Sequence, residues 1–215
     1  MKKLAFVLLF LLALNACAEL KLATPFCDHA VLQREAAVPV WGKATPGSEV
    51  TVSFAGQSVS TKADENGDWS VQLAPMEASF ESRTMTVSEK GGDTKTIDDV
   101  LVGEVWFASG QSNMECPVWD QDPRFRDGTG KLVMAMTRNP YLRFIKVNRA
   151  HNAYPQSFTS ATWYHFTPEE CEAHKEANKN ERSLSAVGVY YALPLFSSLR
   201  VPICVVDARG GGPTT

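Results

Sequence analysis

The 215-residue sequence contains no Cys-x-x-Cys pair, no basic run and no apolar stretch long enough to cross a bilayer. Each absence removes a class of reading. Its five cysteines, Cys17, Cys27, Cys116, Cys171 and Cys204, have the spacing neither of a disulfide-dense scaffold nor of a zinc or redox motif. Lysine and arginine number 21 against 24 acidic residues, a net charge of −3. With no cationic patch, nucleic acid and anionic membrane are not the expected partners. No internal repeat is present, so a solenoid or propeller is excluded. Asp64 to Asp68 (DENGD) has the superficial look of a calcium loop. Its sixth position is Trp69 rather than glycine, and Pro75 stands where the closing glutamate belongs, so the segment reads as a hairpin turn on Asn66-Gly67. Neither a metal nor an organic cofactor is expected.

The longest apolar run, Leu4 to Leu14, follows Lys2 and Lys3 and precedes Ala16-Cys17-Ala18. A bilayer span needs about 20 residues, so this is the pattern of an export signal with an A-x-A cleavage site. Residues 1–18 are therefore expected to be removed, leaving a secreted or periplasmic chain of net charge −5. Leu14 to Cys17 also has the form of a lipoprotein box, in which Cys17 would carry a lipid anchor. Asn15 fits that box poorly, and cleavage after Ala18 is the preferred reading. The four remaining cysteines read mostly as buried free thiols.

Residues 19–98 have the composition of a small β-sandwich. Val38 to Trp41, Val50 to Phe54, Trp69 to Leu73 and Met85 to Val87 alternate or cluster apolar side chains, and Pro46-Gly47, Asn66-Gly67 and Gly91-Gly92 separate them. From Leu101 the pattern changes. Val102 to Ala108 and Tyr141 to Val147 read as strands, Leu132 to Met136 as helical, and Glu169 to Arg182 as a solvated charged helix or loop. Ser183 to Leu199 carries Val187, Tyr190, Tyr191, Leu195 and Leu199 at helical spacing, with Pro194 as a candidate kink. Val201 to Val206 reads as a strand buried on both faces of a parallel sheet. Residues 99–215 thus form the α/β part of the chain.

The most informative stretch is Gly103 to Glu115 (GEVWFASGQSNME). An apolar strand runs into Ser109-Gly110, where the backbone can turn sharply. Ser112 then stands just past the carboxyl end of the strand, where open α/β sheets collect their reactive groups. Asn113 to Glu115 can begin a helix whose N–H groups favour an anion, and a serine so held can act as a nucleophile once a base takes its proton. The competing reading is an ordinary strand-to-helix turn, with Ser112 or Asn113 as N-cap. Met114 stands where the second glycine of a Gly-x-Ser-x-Gly elbow would be, so this is not that motif.

The run Gly-Glu-Val-Trp leading into Gly-Gln-Ser-Asn-Met-Glu resembles the first signature block of the SGNH hydrolases, and more narrowly the sialate O-acetylesterase family. Leu22 to Val50, with Asp-His-Ala-Val-Leu-Gln-Arg and Val-Pro-Val-Trp-Gly, resembles the N-terminal β-domain of that family. Leu184 to Gly211 resembles its next block, although Arg209-Gly210-Gly211-Gly212-Pro213 replaces the usual Trp-Gly-Gly-Thr-Pro. The resemblance implies an α/β fold: a small N-terminal β-sandwich and the first part of an SGNH-type three-layer α/β/α hydrolase domain. It further implies Ser112 as nucleophile, its N–H and an amide of Gly210 or Gly211 as oxyanion donors, and Gln111 and Asn113 beside them. The implied substrate is an O-acetylated sugar, sialic acid or a sialoglycan first and acetylated xylan or another glycan second. A non-catalytic carbohydrate-binding module with a vestigial hydrolase fragment is the reading from a different class. The family's Asp-x-x-His block is missing from residues 1–215, since Phe26, Asn148, Thr162 and Cys171 precede the four histidines by three positions. Base and orienting acid are therefore expected beyond Thr215, in a longer enzyme of which this is the front part.

Overall fold

The computed structural model describes residues 19–118, 138–147, 161–170, 173 and 184–208. Two sheets organise them. The smaller has the order β1-β3-β6, from β1 (Lys21–Leu22), β3 (Val38–Lys43) and β6 (Asp68–Leu73). The larger runs β10-β9-β11-β8-β7-β4-β5, with β2 paired to β8. Its members are β2 (Val31–Gln33), β4 (Glu49–Phe54), β5 (Gln57–Lys62), β7 (Ser79–Glu89), β8 (Thr94–Ala108), β9 (Asn139–Val147), β10 (Ala161–Phe166) and β11 (Ile203–Asp207). Helix α1 is Ala186–Leu199. The architecture is α/β with an N-terminal β-sandwich.

The sandwich follows from strict alternation. Val38 and Val40 of β3 and Trp69, Val71 and Leu73 of β6 face Val50, Val52 and Phe54 of β4 and Met85 and Val87 of β7 in one buried cluster. The intervening positions of β4, β6 and β7 are polar and half-buried or exposed, as expected of antiparallel sheets with one wet face. Strand β5 (QSVSTK) has almost no apolar signal: Val59 alone packs against the core, and its half-buried neighbours are Gln57 and Thr61. The β4–β5 hairpin turns on Ala55 and Gly56, both at positive φ (49° and 78°), which is the primed geometry tight hairpins require.

The DENGD segment is a turn, as expected, but not a hairpin. The Asp64 carboxylate accepts from the backbone N–H groups of Asn66 and Asp68, both at 2.8 Å, and Gly67 has φ 79°. The flanking strands β5 and β6 lie in different sheets, so this turn carries the chain across the sandwich.

Strand β8 passes unbroken through residues 98 and 99 and changes partners along its length. Thr94 to Val102 pairs with β7 and Leu101 to Gly103 with β2, while Glu104 to Ala108 pairs in parallel with β11. Strand β11 is sandwiched between β8 and β9, parallel to both, and its Ile203, Cys204 and Val205 are buried. Its two faces divide as the sequence run predicts. Ile203 and Val205 join the cluster under α1, and Cys204 joins the sandwich core with Ile145 and Trp163.

Helix α1 forms where expected, but the face it presents to the sheet is not the one its large apolar residues mark. Gly188, Val189 and Ala192 are buried, whereas Val187, Tyr190, Tyr191 and Leu199 are exposed. Small residues let the helix lie close: a Cβ on Gly188 would sit 3.3 Å from Val205 Cγ1. The α1 assignment runs through Pro194 without a break. Strand β10, in a stretch without clear periodicity, was not foreseen. The expected helix at Leu132 to Met136, most of the charged run Glu169 to Arg182, Cys171 and the leader lie outside the described residues. Cys27, Cys116 and Cys204 carry free thiols, but of the three only Cys204 is buried; Cys27 and Cys116 are half-buried. Burial, reinforced by Asp28, pushes the Cys27 thiol up to about 11, and burial raises that of Cys204 further.

Candidate active site

Ser112 stands where the strand reading placed it. The chain leaves β8 at Ala108, and Gly110 adopts φ 147°; a Cβ there would meet Met114 Cγ at 2.6 Å. Only glycine suits that combination of backbone and space. The next residues close one tight turn. Met114 and Glu115 N–H donate to the Gln111 carbonyl (2.9 and 3.1 Å), and Cys116 N–H donates to that of Asn113 (3.3 Å). Asn113 to Glu115 are thus part of a turn rather than the first residues of a helix. Gln111, Ser112 and Asn113 are all exposed. Among the described residues, neither Ser112 nor Asn113 caps a helical N–H, so the N-cap reading has no support in the geometry.

The turn is tied to the start of α1. Val118 N–H donates to the Leu184 carbonyl (2.9 Å), and Ala186 N–H donates to that of Cys116 (2.8 Å). Ser185 is the N-cap of α1, accepting from Gly188 N–H at 3.3 Å, and its own N–H donates to the buried Asp207 carboxylate at 3.2 Å. Asp207 ends β11, level with Ala108, and Ala208 N–H donates to the Ala108 carbonyl at 3.0 Å. The serine turn and the positive end of α1 therefore share the carboxyl edge of the parallel strands, a setting that favours developing negative charge. Gly210 and Gly211 follow two and three residues after Ala208, outside the described residues. Ser185 and Asp207 were missed by the sequence reading; an N-cap serine before an apolar helix and an acid ending a buried strand were the available signals.

The Asp-His-Ala-Val-Leu-Gln-Arg stretch has a physical explanation: its polar residues fasten onto β8. The Asp28 carboxylate accepts from Asp98 N–H (2.8 Å), and His29 Nδ1 contacts Asp99 Oδ2 (2.7 Å). The Gln33 side-chain oxygen accepts from Val105 N–H (2.9 Å), and Arg34 Nε donates to Glu104 (2.6 Å). The same segment pairs in parallel with Leu101 to Gly103. It is a strap that fixes the strand leading to Ser112.

Below the strap lies a polar cluster that sequence spacing could not disclose. The buried Arg143 of β9 donates to Asp99 Oδ2 (2.8 Å) and to the carbonyls of Asp99 (2.6 Å) and His29 (2.9 Å). His165 of β10 places Nε2 3.5 Å from Asp99 Oδ2, while its Nδ1 lies 2.5 Å from Glu170 Oε1. Burial would raise the Asp99 carboxyl, but bonds from His29 and Ser82 and the guanidinium of Arg143 hold it well below the usual carboxylate range. Burial lowers the pKa of Arg143, and Asp99 opposes that. Nine residues of extended strand separate Asp99 from Ala108, roughly 30 Å at about 3.3 Å per residue. His29 and His165 are thus at the far end of β8 from Ser112, and neither serves as its base. His151 and His174 lie outside the described residues.

No family model matches the chain. The chain superposes with a TM-score of 0.76 and 34% identity on the crystal structure of a carbohydrate acetylesterase from Xanthomonas citri, covering 91% of this chain and 41% of that one. Human sialate O-acetylesterase is 40% identical over 97 residues, which are 41% of this chain and 18% of the human protein. The mouse sialate O-acetylesterase is 36% identical over 100 residues, 42% of this chain and 18% of the mouse protein. The fold of this chain is thus shared with part of a carbohydrate acetylesterase. Within that class its similarity is to the sialate O-acetylesterases. It matches less than half the length of the solved neighbour and about a fifth of the length of the curated relatives.

Proposed function

We propose that this chain is the serine-bearing part of an exported carbohydrate esterase that removes O-acetyl groups from sialic acid. The observation that carries the reading is Ser112, exposed on a tight turn where parallel β8 and β11 end. The hydroxyl attacks the acetyl carbonyl while a base takes its proton. The ester C–O bond breaks, the proton passes to the leaving sugar oxygen, and water then releases acetate from the acetyl-serine. The N–H of Ser112 and an amide of Gly210 or Gly211 receive the oxyanion, with Gln111 and Asn113 flanking the bound ester. Because His29 and His165 are held far from the serine, the base comes from outside the described residues. The solved neighbour is a carbohydrate acetylesterase, a description compatible with the second substrate reading, acetylated xylan or another glycan.

The test is acetate release from O-acetylated sialic acid and from acetylated xylan. It compares the 215-residue chain, a longer protein carrying an Asp-x-x-His block, and the Ser112→Ala variant of the longer protein. The short chain is expected to show little turnover. The substitution is expected to lower turnover by a factor on the order of 10⁴ or more with thermal unfolding unchanged, since a nucleophile and its base act as a unit. A Ser112→Ala protein that is active but less stable would sink the assignment.

A further inference from the structure

We propose that His29, Asp99 and His165 form a site for one divalent transition metal of the zinc type, seated between the sandwich and the α/β sheet. The three offer one donor atom each within 4.8 Å of one another. Two imidazoles and a carboxylate are a donor set that suits zinc and its neighbours. The ligands come from the loop before β2, from β8 and from β10, so no short spacing in the sequence announces them.

The tautomer of His165 gives the first argument. Glu170 holds both the backbone N–H (2.7 Å) and Nδ1 (2.5 Å) of His165. With the ring proton of that bond on Nδ1, it is Nε2 that faces the donor cluster. Nε2 and Asp99 Oδ2 are 3.5 Å apart. That is long for an N–H···O bond. It is close to the roughly 3.4 Å expected of two ligands on one tetrahedral ion with metal–ligand distances near 2.0–2.1 Å. His29 Nδ1 is closer, at 2.7 Å from the same oxygen, and must give up that hydrogen bond and withdraw by about 0.7 Å to reach the tetrahedral spacing. Its side chain, 45% exposed, has room to do so and leaves the ion an entry path.

The surroundings give the second argument. Glu170 on the distal nitrogen of His165 makes the carboxylate–histidine pair that commonly orients a metal-bound imidazole. Arg143 fixes Asp99 through Nη2 and two carbonyls through Nη1, and the Oδ2 it shares with His29 regains a lone pair for a metal once His29 Nδ1 withdraws. Its positive charge weakens the site, and Glu170 partly offsets that. His29 and Asp99 both hold left-handed backbone (φ 70° and 56°), a strained state that recurs at ligand clamps. Such an ion would staple β10 and the serine-bearing strand to the sandwich. It would do so far from Ser112 and independently of any reading of that residue.

The experiment is a titration of the metal-free 215-residue chain with zinc, read by calorimetry, by metal content after gel filtration and by thermal unfolding. One ion per chain and a raised unfolding temperature are expected. His165→Gln should abolish binding, and Glu170→Gln, which removes no ligand, should weaken it by roughly 10–100-fold. The pair His151→Gln and His174→Gln should leave it intact. Failure of the parent chain to retain zinc, or retention of full affinity by either His165→Gln or Glu170→Gln, would overturn the proposal. Should His165→Gln not fold, Glu170→Gln decides.

Discussion

Replacing Gly103 with alanine probes the join on which the site depends. At this residue β8 has finished pairing with β2 and is about to pair with β11. An added Cβ would lie 2.1 Å from the Pro202 carbonyl oxygen and 2.7 Å from its carbon, against 3.4 Å for ordinary contact. The obstruction is backbone, so it cannot rotate away. More than 1 Å must open between Gly103 and the residue that leads into β11. Overpacking of this kind costs about 1–3 kcal/mol, and a rigid partner puts the figure at the upper end. For a chain of this size each kcal/mol lowers Tm by about 2–4 °C, so a fall of about 6–12 °C is expected. Gly56→Ala is the control: nothing lies within 4 Å, but φ is +78°. It should cost only the left-handed strain of about 1–2 kcal/mol. Thermal unfolding measures the size of each effect, and amide hydrogen exchange locates it. Gly103→Ala should speed exchange at Ile203 to Asp207, and Gly56→Ala should not. A Gly103→Ala protein with unchanged Tm, or with β11 as protected as in the parent, would refute the reasoning.

Three further outcomes are expected. Glu89 is buried, and although burial alone would raise its carboxyl, hydrogen bonds from Thr45 and Ser48 hold it below the ordinary value. Its stabilising effect is present above the unfolded carboxylate value of about 4.3 and is lost as pH falls through the lower folded value. The stability difference between the parent and Glu89→Gln in urea titrations should therefore be largest at neutral pH and shrink below about pH 4. Arg143→Leu leaves Asp99 and two carbonyls without their guanidinium, and urea unfolding should show a loss of about 3–5 kcal/mol. Mass spectrometry of the exported protein should find Glu19 as the first residue; a chain starting at an acylated Cys17 would establish the lipoprotein alternative instead.

The legible parts of the fold were those where side chains alternate against a core. Val50 and Val52 of β4, or Trp69, Val71 and Leu73 of β6, announce their strands because every second residue is buried. Strand β5 does not, because Val59 is its single apolar residue and the other half-buried positions are Gln57 and Thr61. Helix α1 was legible as a helix, but Gly188 and Ala192 form its packing face, and small residues contribute little to any hydrophobic pattern. At the candidate site Ser112 could be read because turn chemistry is local. Asp99, Arg143, His165 and Glu170 could not, because folding alone brings them together from β8, β9, β10 and the turn beyond it. Arg143 is the extreme case, a fully ionised side chain in the interior that no polarity scale would put there.

Strand β8 acts as a ruler as well as a support. Asp99 is pinned at its lower end by Arg143 and His29, and Gln33 and Arg34 pin it at Val105 and Glu104. An extended chain scarcely stretches, so the height of Ser112 above the sheet is set by counting residues from Asp99. Deleting or inserting one residue between Glu104 and Ala108 would shift the turn by about 3.3 Å and exchange the faces taken by the residues beyond the change. A two-residue change would restore the faces but move the turn by about 6.6 Å, away from α1 and the end of β11. The number of residues in this segment is thus under as tight a constraint as their identity, whereas the hairpin at Ala55-Gly56 is free to lengthen.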